Sequence, residues 1–489
     1  MVAPDRENEV SLHDRPPEGA VLILGLGING AAVARDLIIN GVPVVIADRS
    51  DIASGATSRS SRLIHGGLRY LEYGEFSLVR ESLRERDRLL KLAPQFVHPL
   101  PLFIPGNSQL GGLVSAVRRF VGFGDEAPRG RGRWLVDIGL TLYDVFSSGL
   151  LPGHAIYSPG DAGTPQVSRR FEWVARYYDA QMPFPERFTV ALLHDAEQAA
   201  RRGGVPLYVL PYHAVRRSGT RFTVVPTDAE PVGRSARQPG VAAAFDEAAA
   251  FRPGCVINAT GAAGDRTLQE LGLPHEPLFA GTKGSHIVTA NTVLRDALRP
   301  GGVYAESRDG RMVFVLPFGK LVLIGTTDVP YQGDPSEAIA EESEIDYLLR
   351  LVNDVQDEVR LSRKDVLLHY AGVRPLPKTD AAHPGAVTRR HWFEESRLEG
   401  VPLLTLIGGK LTTCRSFAEQ VTDRVLELLG RGRTESTENR PIPGSAQYPL
   451  PELLEDAQRE VAEKLNWSLR QVRAVWPLTG TLCRRLGSD

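Results

Sequence analysis

Ala20 to Leu24 (AVLIL) is an unbroken apolar run, and it predicts a strand buried on both faces, as in a parallel sheet. After the glycine turn GLGING, the run AAVARDLII has helical character and stops at Asn40-Gly41. Val42 to Asp48 (VPVVIAD) predicts a second strand, which completes a βαβ unit. Glu75 to Leu92 predicts an amphipathic helix. Phe76, Val79, Leu83 and Leu90 mark its apolar face, Arg80, Arg84 and Arg88 share another, and Pro94 closes it. Cys255 to Asn258 (CVIN), Met312 to Leu316 (MVFVL) and Leu321 to Ile324 (LVLI) predict further strands, the last two joined as a hairpin through Phe318-Gly319-Lys320. Asp228 to Ala250 reads as a surface excursion and Gly430 to Pro443 as a linker, with a short helical tail from Pro449. Residues 1–18 are polar and acidic and read as a disordered leader.

A chain of 489 residues suggests two to four domains. The net charge of -2 argues against bulk nucleic-acid binding but permits a local cationic pocket. One such concentration is Gly106 to Arg133, where Arg118, Arg119, Arg129, Arg131 and Arg133 face only Asp125 and Glu126. Its run LVSAVRRFVGF reads as a short amphipathic helix that touches anionic lipid, or as a solvent-facing loop. Three cysteines without a CxxC pair fit a reducing compartment and offer no metal motif. No apolar run is long enough to cross a bilayer.

The candidate chemistry begins at Gly25-x-Gly27-x-x-Gly30. The first glycine permits a tight turn, the second lets backbone approach a pyrophosphate, and the third lets helix and strand pack closely. The helix N-terminus then faces the anion with free N–H groups. Asp48 ends the second strand, where a carboxylate binds ribose hydroxyls. These features point to a dinucleotide and leave FAD and NAD open. Two later turns favour FAD: Asn258-Ala259-Thr260-Gly261, and Gly408-Gly409-Lys410-Leu411-Thr412-Thr413 leading into a helix, where backbone N–H groups suit a flavin ring. Ser54, Thr57, Ser58 and Ser61 form a hydroxyl-rich loop suited to the pyrophosphate side.

The run Ser60 to Glu72 (SSRLIHGGLRYLE) resembles the signature of FAD-dependent glycerol-3-phosphate dehydrogenases. So do Lys283 to Ile287 (KGSHI), Ile324 to Val329 (IGTTDV), Ala371 to Leu376 (AGVRPL) and Ile407 to Thr413 (IGGKLTT). The resemblance implies a mixed α/β, α+β fold. A glutathione-reductase-like FAD-binding domain (19–105, 181–265 and 369–430) is interleaved with a substrate domain on a mixed or antiparallel sheet (106–180 and 266–368). A shortened helical region follows at 445–489. It also implies hydride transfer from C2 of sn-glycerol 3-phosphate to FAD, with electrons passed to a quinone. The expected setting is cytoplasmic, peripheral on the inner face of the membrane, with a homodimer as a possible assembly. Asn29, Gly66, Gly261, Leu411 and Thr412 join the glycines as expected FAD contacts. Cys414 in place of tyrosine, Ala262-Ala263 in place of proline and tryptophan, the long basic stretch and the short C-terminal region depart from the family pattern.

A nearly dianionic phosphate favours arginine, whose planar donors are always charged. Arg69 with Tyr70, and Arg389, are the phosphate candidates, with Thr327 at the substrate site. Arg374 and Lys410 are expected nearer the flavin and the C2 oxygen, where a cation stabilises developing negative charge. His65 is the candidate general base, since its ordinary pKa suits proton transfer near neutrality. The same histidine would equally serve to bind FAD or brace its loop, and His286 is the alternative base. Three other readings stay open: an oxidase of the same substrate using O2, a flavin enzyme acting on an amine or 2-hydroxy acid, and a non-catalytic flavin-binding sensor.

Overall fold

The computed structural model describes residues 16–108, 132–227, 250–307, 310–378 and 388–486. Its first unit is β1 (Val21–Leu24), α1 (Ile28–Ile39) and β2 (Val44–Asp48). The second strand starts two residues later than its apolar run, because Pro43 has no N–H to give a ladder. Asn40 caps α1, and Gly41 turns the chain with a φ of 71°. The helix α2 (Phe76–Leu92) follows the predicted span closely.

The chain then visits two large sheets in turn. β3 (Leu63–Ile64), β4 (His98–Gly106), β5 (Ala155–Tyr157) and β6 (Trp173–Gln181) belong to the second sheet. β7 (Leu207–Pro211) returns to the first, β8 (His213–Ser218) and β9 (Arg221–Pro226) form a separate hairpin, and β10 (Cys255–Asn258) lies again in the first. β11 (Thr282–Thr289), β12 (Gly302–Glu306), β13 (Met312–Phe318), β14 (Leu321–Gly325), β15 (Val329–Pro330) and β16 (Val366–Arg374) extend the second sheet. β17 (Trp392–Leu398) and β18 (Val401–Ile407) finish the first.

The first sheet runs β17-β18-β10-β1-β2-β7, all parallel except β17. Its strands alternate between two cores. Val21, Ile23, Val44, Ile46 and Ile257 pack toward α1 and the helices Pro185–Gly203 and Cys414–Leu428. Leu22, Leu24, Val45, Ala47 and Val256 pack toward the β8–β9 hairpin and the helix Gly264–Glu270. The second sheet runs β15-β11-β14-β13-β12-β4-β6-β3 and is antiparallel except at β12–β4. The β13–β14 hairpin has its predicted turn, with Gly319 at a φ of 62°.

Three sequence expectations change. β3, nearly all of β4 and the larger part of β16 lie within the ranges read as the FAD domain, yet they pair in the second sheet. Their partners, β6 and β11, are far away in sequence, so local pattern does not carry the membership. Within Gly106 to Arg133, residues 109–131 lie outside the described residues, as do 1–15 of the leader and 228–249 of the surface excursion. Arg133 itself opens a helix that the sequence reading passed over, Arg133–Phe146. Its inner face buries Val136, Leu140 and Tyr143, while Trp134, Ile138, Leu142 and Val145 are exposed on the outer side.

The stretch 430–443 is irregular, as its composition predicts, but it is not a free linker. Arg433 pairs with Asp36 and Asp423, and Arg440 pairs with Asp195. The Asn40 side chain accepts the N–H groups of Thr434 and Glu435. Polar partners across the fold replace regular backbone bonding and strap this stretch to the far end of α1. Beyond it stand the expected tail helices, Leu454–Leu465 and Leu469–Thr479.

Candidate active site

A cavity of about 410 Å³ runs from the open end of the first sheet to the face of the second. At one end lies the β1–α1 turn. Gly25 has a φ of 107°, and a Cβ there would come within 2.6 Å of the Ala259 carbonyl oxygen. A Cβ on Gly30 would stand 2.0 Å from the Gly25 carbonyl oxygen, so α1 packs on its own entry turn only through glycine. No side chain of α1 caps its N-terminus; Thr57 Oγ1 accepts the Ile28 N–H at 3.1 Å from the neighbouring loop. The Asp48 carboxylate fixes the turn by accepting N–H groups of Leu26 (2.8 Å) and Ser50 (2.9 Å), and it faces the cavity. Burial raises its pKa above the ordinary aspartate value.

From the other side comes the turn after β18. Gly408 and Gly409 have φ values of 71° and 86°, and a Cβ on Gly409 would meet Asn29 Nδ2 at 2.4 Å. Asn29 Oδ1 is buried without a hydrogen-bond partner among the described residues. An orphaned acceptor, an open helix N-terminus and two glycine cradles without room for side chains suit a dinucleotide, and the residues present fit FAD.

The remaining wall is cationic. Arg69, Arg374, Arg389 and Lys410 all line the cavity. Arg374 lies close enough to Arg389 and Arg69 for their charges to oppose its own, and Lys410 is opposed by Arg389 in the same way. Asp328 supplies the counter-charge: its carboxylate is 3.1 Å from Arg374 and 3.5 Å from Arg389. Arg374 also donates to Thr326 Oγ1 (3.0 Å) and the Thr327 carbonyl (3.1 Å). Lys410 Nζ sits 4.3 Å over the Tyr70 ring and donates to Ser82 Oγ at 3.3 Å. Such a corner attracts a small anion.

Two histidines face this charge. His65 is held through its backbone by Thr412, whose Oγ1 accepts the His65 N–H (3.1 Å) and lies 3.3 Å from its carbonyl oxygen. Burial, then Lys410 and Arg389, push the His65 imidazole down to about 3, so it is neutral at neutral pH and open to a proton. A phosphate bound beside Lys410 and Arg389 would oppose their fields and raise that value. His286 stacks on Tyr370 with ring centroids 4.8 Å apart, and its Nε2 lies 2.9 Å from Ser61 Oγ. Burial, then Arg374 and Arg62, also push it to about 3, and its Nδ1 is buried without a partner among the described residues.

Most residues singled out from sequence meet at this cavity: Gly25, Gly27, Asn29, Asp48, Thr57, Ser61, His65, Arg69, Tyr70, Thr260, Gly261, Thr327, Arg374, Arg389, Gly409, Lys410, Leu411 and Thr412. Some do not. Gly30, Ser54 and Ser58 stand off the lining, and Ser58 Oγ donates back to the Ser54 and Gly55 carbonyls, serving its own turn. Gly66 is also off the lining, since its N–H is taken by Tyr143 and Asp179. Thr327 lines the cavity, but its hydroxyl donates to Glu344 (2.6 Å) and accepts the Ser285 N–H (2.9 Å), so it braces the strand end and is not free for substrate. Sequence reasoning missed Arg311, Tyr73 and the cross-strand stack of Tyr304 on Phe314 (4.0 Å). Alternation along β12 and β13 was the available signal for that stack; Arg311 carried none.

A family model described as FAD dependent oxidoreductase matches residues 20–415. A glycerol-3-phosphate dehydrogenase of Synechocystis sp. is 35% identical over 458 residues, which cover 88% of this chain and 74% of the relative. The D-erythritol 1-phosphate dehydrogenase of Brucella abortus is 34% identical, covering 87% of this chain and 77% of the relative. Among solved structures, a glycerol-3-phosphate dehydrogenase from Bacillus halodurans complexed with FAD superposes with a TM-score of 0.64 at 21% identity. That match covers 96% of this chain and 77% of the other, and it speaks for the fold.

Proposed function

Since the chain belongs to the FAD-dependent oxidoreductase family, we propose that it oxidises sn-glycerol 3-phosphate to dihydroxyacetone phosphate. The observation that carries this reading is the meeting of Arg69, Arg374, Arg389 and Lys410 in the cavity that also holds the glycine cradles. FAD, when bound, supplies the hydride acceptor. Gly25, Gly27, Asn29 and Asp48 would hold its adenosine and pyrophosphate part, and Gly409 to Thr412 its ring. Arg69 and Arg389 grip the phosphate, and Arg374 and Lys410 hold the C2 oxygen as its charge grows. His65 takes the hydroxyl proton on a neutral imidazole nitrogen, with His286 as the alternative acceptor.

Anaerobic mixing with substrate tests this directly: sn-glycerol 3-phosphate should bleach the flavin band, and glycerol or glycine should not. Silence toward the phosphoester would remove the reading. The relative of 34% identity favours a second substrate, D-erythritol 1-phosphate, and the same experiment run with it separates the two by rate.

The electron acceptor in this reading is a membrane quinone. Support comes from the exposed apolar stripe Trp134, Ile138, Leu142 and Val145, which follows the run holding Arg118, Arg119, Arg129, Arg131 and Arg133 in sequence. The contact in this reading is peripheral; no described helix is long and apolar enough to cross a membrane. Oxygen consumption at full rate without a quinone analogue would favour the oxidase instead.

A further inference from the structure

The irregular loop that carries His65 is gripped on both sides. Thr412 holds the backbone of His65, and Gly66 beyond it donates its N–H to two acceptors, Tyr143 Oη at 2.9 Å and Asp179 Oδ1 at 3.1 Å. Tyr143 Oη donates to the same Asp179 oxygen at 2.6 Å, and Arg86 Nη1 reaches it at 3.2 Å. The fit is tight. A Cβ on Gly66 would stand 2.4 Å from Leu83 Cδ2 and 2.5 Å from Tyr143 Oη.

Asp179 is a buried carboxylate on β6, and Arg86 comes from α2. Burying an ion pair is costly, and a neutral acceptor would satisfy one N–H at less expense. The charged arrangement gathers donors from three separate elements onto one carboxylate oxygen beside the His65–Gly66 peptide. Stiff local geometry of this kind is what proton transfer from a held substrate requires.

We propose that Tyr143 and Asp179 are positioning residues: they fix the His65–Gly66 peptide so that the imidazole stays in the corner beside Lys410 and Arg389. The proposal rests on the assignment of His65 as proton acceptor. The groups facing that imidazole are Lys410 from the turn after β18, Arg389 from the stretch before β17, and the Tyr70 ring, 6.3 Å away. With the peptide loosened, water enters and the burial that holds the imidazole at about 3 is relieved.

The test uses Tyr143→Phe and Asp179→Asn holoenzymes, with anaerobic flavin reduction by sn-glycerol 3-phosphate followed from pH 5 to pH 8. Tyr143→Phe keeps the ring packed and removes only the hydroxyl. Its FAD content and substrate affinity should stay within about twofold, while flavin reduction slows about tenfold through lost positioning. The parent rate should fall less steeply with acidity than the variant rate in the range where a free imidazole titrates. The variant rate should fall as pH drops below about 6.5, the ordinary value for histidine. Asp179→Asn should move both readouts the same way; should it fail to fold, Tyr143→Phe decides alone. An unchanged rate and profile in Tyr143→Phe overturns the proposal, and so does loss of FAD with the profile unmoved. His65→Gln runs alongside. If it leaves reduction unaltered, the base assignment itself falls; if it slows reduction while Tyr143→Phe does not, only the positioning role falls.

Discussion

Replacing Arg389 with alanine separates a phosphate grip from participation at the reacting carbon. Arg389 stands 3.5 Å from one Asp328 oxygen, while Arg374 holds the other at 3.1 Å. The variant therefore leaves Asp328 paired and the rest of the cationic wall in place. What goes is one planar donor set for an anion. A hydrogen bond to a charged group contributes about 1.5–3 kcal/mol net. One such loss weakens binding about 10- to 150-fold. The Coulomb attraction between two unit charges about 4 Å apart is about 4 kcal/mol at an effective dielectric of 20, so the hydrogen-bond figure lies within that ceiling. Steady-state turnover with a soluble dye as acceptor should show KM raised by about that factor and kcat within about threefold of the parent, because only uniform binding has been removed. Inorganic phosphate, a competitor for the parent, should inhibit the variant much less. A collapse of kcat with KM unmoved would refute the assignment and put Arg389 at C2. No change in either would mean its role is structural.

Gly409→Ala forces a side chain onto a φ of 86° and against Asn29. The left-handed backbone alone costs about 1–2 kcal/mol, and FAD affinity should fall about tenfold or more. Fluorescence of released flavin measures it, and unaltered retention would take this turn out of the cofactor cradle. The apoprotein should lose stability in acid: the unfolded chain protonates its histidines near their ordinary value, but half-buried His65 and buried His286 resist protonation down to about 3. The loss therefore begins as pH falls through about 6.5 and grows by about 1.4 kcal/mol per pH unit for each, reaching about 2 kcal/mol each at pH 5. Urea midpoints of the parent against His65→Gln/His286→Gln measure the slope; equal slopes would mean that neither histidine is buried neutral. Trp134→Ser/Ile138→Ser should weaken binding to vesicles containing anionic lipid by about 1,000-fold, at about 2 kcal/mol per large side chain, and leave flavin reduction intact. A parent that does not bind such vesicles at all would end the membrane reading.

The sequence was most legible where a local rule decides the structure. The β1–α1–β2 unit could be read because apolar runs, glycine spacing and Asp48 lie within thirty residues of one another. The cationic wall could be read because Arg69, Arg374, Arg389 and Lys410 sit in recognisable runs. What stayed hidden depends on partners distant in sequence. Ser58 looked like a cofactor ligand, but its hydroxyl closes its own turn. Thr327 looked free, but Glu344, seventeen residues on, accepts the hydrogen bond of its hydroxyl. Nothing near Gly66 announces that Tyr143 and Asp179 share its N–H. The basic run before Arg133 drew attention away from the helix that follows, whose apolar positions face opposite ways.

The alternation of the chain between its two large sheets bears on how the protein is made. The first sheet lacks its β10 neighbour β18 until residue 407 has left the ribosome, and the second lacks β16 until residue 374. The first sheet therefore cannot close until after the second has been synthesised, and the edge of β10 and one flank of β11 must wait unpaired. Pairings this distant form slowly and leave sticky edges exposed during translation. Soluble yield in a foreign host should accordingly depend on growth temperature and chaperone supply more than the finished fold would suggest.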